Sequence, residues 1–129
     1  MVHLIPIRVL LVDDHAMLRQ GLRLLLESCP DLDVVGEASN GAEALQQLGS
    51  LQPTVIVMDI NMPKLNGIAA TWLVKLQHPH IAVVGLTLNA QSYQAEAMLR
   101  AGAVEVLTKE KAGDDLYHSI KRAIPTAAV

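Results

Sequence analysis

Polar and apolar positions along this chain fall into blocks of two kinds. Five short runs, about 7–13, 33–38, 54–59, 81–87 and 104–108, are dense in Val, Ile and Leu. The stretches that follow them, about 15–28, 41–49, 67–77, 91–101 and 113–124, repeat their apolar residues every three or four positions. The first kind predicts strands and the second amphipathic helices. Leu18, Leu22, Leu25 and Leu26 trace one helical face, and Leu116, Ile120 and Ile124 trace another. Asn40 followed by Glu43 predicts an N-cap with a reciprocal partner. Gly102 predicts a left-handed end to the fourth helix.

Regular alternation of strand and helix predicts an α/β fold of three layers around a parallel sheet. Runs one, three and four are almost continuously apolar, as strands covered on both faces must be. The second and fifth carry Asp33, Glu37 and Glu105, which suits edge strands. These edges suit the strand order 2-1-3-4-5, a flavodoxin-like (βα)5 arrangement with right-handed crossovers. With 129 residues and no internal repeat, one domain is expected. It should span 5–124, with 125–129 a C-terminal tail or linker remnant.

Composition narrows this further. Hydrophobic residues make up 51% of the chain, yet Trp72, Tyr93 and Tyr117 are the only aromatics. The core must therefore be aliphatic, and Trp72 is expected to pack on the third helix. Net charge is −3, with no Lys/Arg-rich run, so direct nucleic-acid binding by this domain is not expected. Cys29 stands alone, which excludes a disulfide framework and a cysteine-based zinc site. Arg8 interrupts the apolar start of the chain, which has neither a signal-peptide pattern nor the length of a membrane span. A cytoplasmic domain without membrane contact is expected.

The candidate chemistry sits where the strands end. In a parallel α/β sheet the carboxyl ends of the strands share one edge, and ligands bind there. Asp13 and Asp14 close the first run, Asp59 the third, Thr87 the fourth and Lys109 the fifth. Three carboxylates in one cleft repel, so some are protonated or a cation sits among them. All-oxygen donors suit Mg²⁺, and the backbone carbonyl of Asn61, just past Asp59, is placed to join them. Asp59 can then act as a nucleophile toward phosphorus, with Lys109 neutralising charge and Thr87 donating a hydrogen bond. Taken singly, each position has a plainer reading. Asp13 and Asp14 could cap the next helix, Thr87 could be a β-branched strand residue, and Lys109 a solvated lysine. His15 is expected to be exposed at the start of the first helix, His78 and His80 to be solvated loop residues, and Cys29 to be a buried or half-buried filler near a helix end.

Taken together, Leu11 to His15, Met58 to Pro63 with Asn66-Gly67, Leu86-Thr87, and Gly102-Ala103 with Lys109 give the chain a family likeness. It resembles the receiver domains of two-component response regulators over essentially its whole length. The resemblance implies that Asp59 is the phosphoacceptor, Asp14 a direct Mg²⁺ ligand, and Asp13 a ligand through water. It implies that Lys109 pairs with the phosphoryl group and that Thr87 is the switch hydroxyl. The partner would be a sensor histidine kinase or histidine phosphotransfer domain, docking near Ala16–Gln20 and the loops around Asp59 and Lys109. Asn61 and Asn89 would tune the lifetime of the phosphoryl group. The domain would be a phosphoacceptor, not a multiple-turnover enzyme.

The chain departs from the family pattern at Val106, where an aromatic is usual, and at Glu110, where proline is frequent. The segment Asp13–Gly21 resembles receivers attached to LuxR-type helix-turn-helix domains. Asn66–Thr71, Thr108–Ala112 and Val106 look more like receivers of hybrid sensor histidine kinases. The chain ends shortly after the fifth helix, so the hybrid-kinase reading is expected, with the LuxR-type regulator as its alternative. A phosphatase of the haloacid dehalogenase class would need an acid/base two residues after Asp59, where Asn61 stands. A flavodoxin-like cofactor binder would need a phosphate loop after the first strand, where two carboxylates stand. A receiver-shaped module that is never phosphorylated is the third rival. A homodimer through Tyr117 and Lys121 on the last helix is left open.

Overall fold

A computed structural model describes residues 5–124 of the chain. His3 and the expected tail 125–129 lie outside the described residues. The elements run β1 Ile7–Val12, α1 Ala16–Glu27, β2 Leu32–Ala38, α2 Gly41–Leu51, β3 Val55–Asp59, then α3 Gly67–Gln77, β4 Ala82–Thr87, α4 Tyr93–Ala101, β5 Glu105–Thr108 and α5 Ala112–Ala123. All five strands are parallel, in the order β2-β1-β3-β4-β5. Each expected strand and helix is present, with ends shifted by at most two residues.

Neighbouring residues of a strand point to opposite faces of the sheet. Leu10, Val12, Ile56, Met58 and Val83 therefore pack with Ala44, Leu48, Ala70, Val74 and Met98 of α2, α3 and α4. Val9, Leu11, Val55, Val57, Val84 and Leu86 pack on the other side with Leu22, Leu26, Leu116 and Ile120 of α1 and α5. This is why β1, β3 and β4 are apolar at nearly every position. Each fully buried aliphatic contributes ~1.5–3 kcal/mol. The edge strands differ as expected: all four residues of β5 are only partly buried, and β2 exposes Asp33.

Some expectations need correction. Trp72 is 56% exposed, because the inward positions of α3 are Ala70, Thr71 and Val74. Leu25 is also exposed; Leu22 and Leu26 define the buried line of α1, and Leu25 falls beside it. Asn40 does cap α2, accepting from Glu43 N at 2.9 Å, but the Glu43 carboxylate takes the Ser39 hydroxyl at 3.1 Å. Tyr117 and Lys121 are not a free outward face, since both donate to Asp31 Oδ2 at 2.7 Å. Gly102 ends α4 at φ +120°, and the next amide, Ala103 N, reaches back to Met98 O at 3.1 Å.

The connection after β3 brings the start of α3 back against the strand end. Gly67 N donates to Ile60 O at 2.8 Å, and a Cβ at Gly67 would lie 2.0 Å from the Asp59 carbonyl oxygen. Only glycine lets α3 begin so close to the strand end. Asn66 caps α3 by accepting from Ala69 N at 2.9 Å.

Candidate phosphoacceptor site

The carboxyl edge of the sheet gathers the expected residues, and the local backbone explains how. Asp13 follows the last β1–β2 pair, and its amide donates to Ala38 O at 3.1 Å. Its carboxylate turns back and accepts from His15 N at 2.8 Å. The N-cap of α1 is His15, which makes no side-chain cap bond, so Asp13 and Asp14 do not serve as helix caps. Asp59 closes β3 beside Leu86 of β4. Lys109 follows β5 and is tied to β4 through its amide, which donates to Thr87 O at 2.8 Å.

The Lys109 side chain crosses the strand ends to the carboxylates. Its Nζ lies 3.0 Å from Asp13 Oδ2 and 3.1 Å from Asp59 Oδ2. All three side chains are less than a tenth exposed. Asp14 is different, with its side chain one-third exposed. Ligand atoms of Asp13, Asp14, His15 and Asp59 lie within 4.8 Å of one another.

Charge is unbalanced here. One ammonium faces three carboxylates, and buried Asp13 Oδ2 and Asp59 Oδ2 share it as ion pairs without hydrogen-bond geometry. Burial first, and the Asp13 charge second, push the Asp59 carboxyl from 3.8 up to about 6, although Lys109 pulls the other way. Two buried carboxylate oxygens that share a single ammonium, beside a third carboxylate one-third exposed, fit a hard divalent cation, which prefers oxygen donors and keeps some of its waters.

Other expected residues are nearby but differently engaged. Thr87 is buried, but its Oγ1 accepts from Asn89 N at 3.3 Å and donates to Asn89 O at 3.5 Å; it makes no bond to the carboxylates. Asn61 donates its amide to Asp59 Oδ1 at 3.3 Å, and its side chain reaches Gln94 Oε1 at 3.5 Å. Val106 packs against the core beside Met98, with no ring to swing. The Lys109–Glu110 peptide is trans, as are all others among the described residues.

Two residues belong to the site more closely than the sequence suggests. His15 is 60% exposed, as expected, yet its Nδ1 stands 3.0 Å from Asp13 Oδ1, 3.3 Å from Asp14 Oδ1 and 2.8 Å from Lys109 Nζ. That nitrogen can donate to a carboxylate or accept from the ammonium, but not both at once. Arg19 donates Nη1 to the carbonyl of Asp13 and Nε to Glu37 Oε1 at 2.7 Å. A cationic side chain one turn after the aspartates was the only signal for it. By contrast, His78 and His80 line a cavity of about 380 Å³ at the opposite, amino-terminal edge of the sheet. They are loop residues far from this chemistry, as expected.

Comparison with known proteins agrees with this arrangement. The family model of the response regulator receiver domain matches residues 9–121. The chain is 37% identical over 115 residues to the response regulator GacA of Pseudomonas protegens, covering 89% of this chain and 54% of that one. It is 36% identical over 120 residues to the nitrate/nitrite response regulator protein NarL of Escherichia coli, covering 92% and 55%. In structure it is similar to the response regulator domain of Thermotoga maritima CheB, with a TM-score of 0.85, 36% identity, and 92% and 96% of the two chains covered. The chain spans about half the length of the curated response regulators it matches. It belongs to the response regulator receiver domain family of two-component signalling.

Proposed function

We propose that this receiver, residues 5–124, takes a phosphoryl group from a phosphohistidine onto Asp59. The observation that carries the reading is the buried Asp59 carboxylate with Lys109 Nζ at 3.1 Å and two further aspartates beside it. An Asp59 pKa of about 6 leaves the group mostly ionised at pH 7, yet more basic than an ordinary carboxylate. One of its oxygens attacks phosphorus in line. The bond from phosphorus to the donor imidazole nitrogen breaks, and the electron pair leaves on that nitrogen. Lys109 meets the charge that arrives on the phosphoryl oxygens.

Mg²⁺ is the cation proposed for the site, held by Asp14, Asp59 and the Asn61 carbonyl, with Asp13 acting through water. When bound, it neutralises carboxylate charge and clamps phosphoryl oxygens. Thr87 would leave Asn89 and donate to the phosphoryl group. Asn89 O also accepts from Ser92 Oγ at 2.9 Å, and Ser92 caps α4 by accepting from Ala95 N at 3.3 Å. Release of Asn89 therefore reaches the start of α4 without an aromatic at position 106.

The donor is a sensor histidine kinase or a histidine phosphotransfer domain, and the work is done in the cytoplasm. Among the described residues no helix is long and apolar enough to cross a membrane. The response regulators matched above favour a parent of the LuxR/NarL type. The hybrid sensor kinase is the second reading, favoured by Asn66–Thr71, Thr108–Ala112 and Val106. Intact mass after incubation with acetyl phosphate tests the proposal. A Mg²⁺-dependent gain of one phosphoryl group, absent in Asp59→Asn, supports it. No gain in the parent protein would leave a binding module that is never phosphorylated.

A further inference from the structure

The turn that presents Asp13 and Asp14 is held from outside the acidic cluster. Asp13 N is fixed by the sheet, through Ala38 O at 3.1 Å. Asp13 O, on the next peptide, accepts from Arg19 Nη1. The same guanidinium donates Nε to Glu37 Oε1 at 2.7 Å, and Glu37 Oε2 accepts from Arg23 Nη1 at 2.7 Å. The Arg19 and Glu37 side chains are 18% and 26% exposed, so this link is more than a loose surface pair.

Glu37 reaches this place through an irregularity in β2. Val9 pairs with Val34, but Leu10 pairs with Gly36, which leaves Val35 as an extra residue. One extra residue reverses the side-chain alternation beyond it. Glu37 then pairs with Leu11, whose side chain lies on the α1 and α5 side of the sheet. The carboxylate therefore meets Arg19 and Arg23 of α1.

The Asp13–Asp14 peptide sets the direction in which the Asp14 side chain leaves the backbone. Among the described residues, the one ion-pair partner of the Asp14 carboxylate is His15 Nδ1 at 3.3 Å, and His15 is itself exposed. We infer that Arg19, anchored by Glu37, is a positioning residue for the cation site: it locks the Asp13–Asp14 peptide so that both carboxylates address one ion. The inference rests on the cation reading above. It also predicts a sign. By charge alone, removing an arginine near a cation site should tighten cation binding. By positioning, it should weaken it.

The test uses Mn²⁺ as the probe, counted by loss of the free-ion signal in electron paramagnetic resonance, with metal-free thermal melts as a check of folding. Arg19→Gln should weaken Mn²⁺ binding by about tenfold, as loss of an outer partner to a metal ligand does. Arg19→Lys should fall between it and the parent, because an ammonium cannot bridge the Asp13 carbonyl and Glu37 as a planar fork does. Arg23→Gln removes the same charge and shares Glu37 but does not touch Asp13, so its affinity should be unchanged or tighter. Parental or tighter binding in both Arg19 variants overturns the inference. Equal weakening in Arg23→Gln also overturns it, since the cause would then be Glu37 or α1 as a whole. Failure of the parent to bind Mn²⁺ removes the cation reading and this inference together, and is distinct from the other outcomes.

Discussion

Asp59 shows how one side chain can carry both a function and a stability cost. It is buried next to Asp13, and its pKa rises from 3.8 to about 6. The unfolded chain titrates this group near its ordinary value, so the folded state holds an extra proton between roughly pH 4 and 6. Stability therefore falls as pH rises through that window, and the full penalty is present at pH 7. Asp31 and Glu105 have the opposite sign. Lys121 and Tyr117 hold Asp31 below its usual value, and Arg122 does the same for Glu105, so both lose stability as pH falls. The difference between Asp59→Asn and the parent isolates Asp59. Asp59→Asn should raise the unfolding free energy of the metal-free protein by ~3 kcal/mol at pH 7 and leave it nearly unchanged near pH 3.5. Urea melts at both pH values check this, and an equal gain at both would assign it to something other than ionisation. Asn61, exposed beside Asp59, belongs to the same scale. Asn61→Asp should change the rate of dephosphorylation without altering the fold, measured as decay of the phosphorylated mass. Equal decay rates would remove Asn61 from any role in phosphoryl lifetime.

At the scale of elements, the join between β3 and α3 matters most for the site. Gly67 begins α3 against the carbonyl of Asp59, so a methyl group there must move the strand end, the helix or both. Gly67→Ala should lower stability by ~2 kcal/mol, in the range of an overpacked core. It should also slow phosphorylation, read in the same acetyl phosphate assay. Gly113 of α5 is the control, because a Cβ there would meet nothing within 4 Å. Gly113→Ala should stabilise by up to ~1 kcal/mol through helix propensity and leave phosphorylation untouched. Similar losses in the two variants would mean that the close approach at Gly67 does not govern the site. Asn66-Gly67 was visible in the sequence as a motif, but only the passage of one backbone over another explains why it must be glycine.

For the molecule as a whole, ligand and fold are linked through the three carboxylates. A cation that binds the folded site and not the unfolded chain stabilises by RT ln(1 + [L]/Kd), about 2.7 kcal/mol at a hundredfold excess over Kd. Mg²⁺ should therefore raise the melting temperature of the parent in a concentration-dependent way, and Asp14→Asn should blunt the rise. A flat response in the parent would count against a cation site. The order of strands, the apolar centre and the convergence of Asp13, Asp14, Asp59 and Lys109 on one edge were legible in the sequence. They follow from local periodicity and from the way parallel strands share an edge, and neither depends on atomic detail. Trp72 was misplaced because composition says that an aromatic is scarce, not which side of a helix faces the core. The binding of Thr87 to Asn89, the entry of His15 into the acidic cluster and the clamp of Arg19 and Glu37 on Asp13 were decided only in three dimensions. Each depends on the direction of a side chain or on a one-residue slip in β2, and such directions are set by packing between segments distant in sequence.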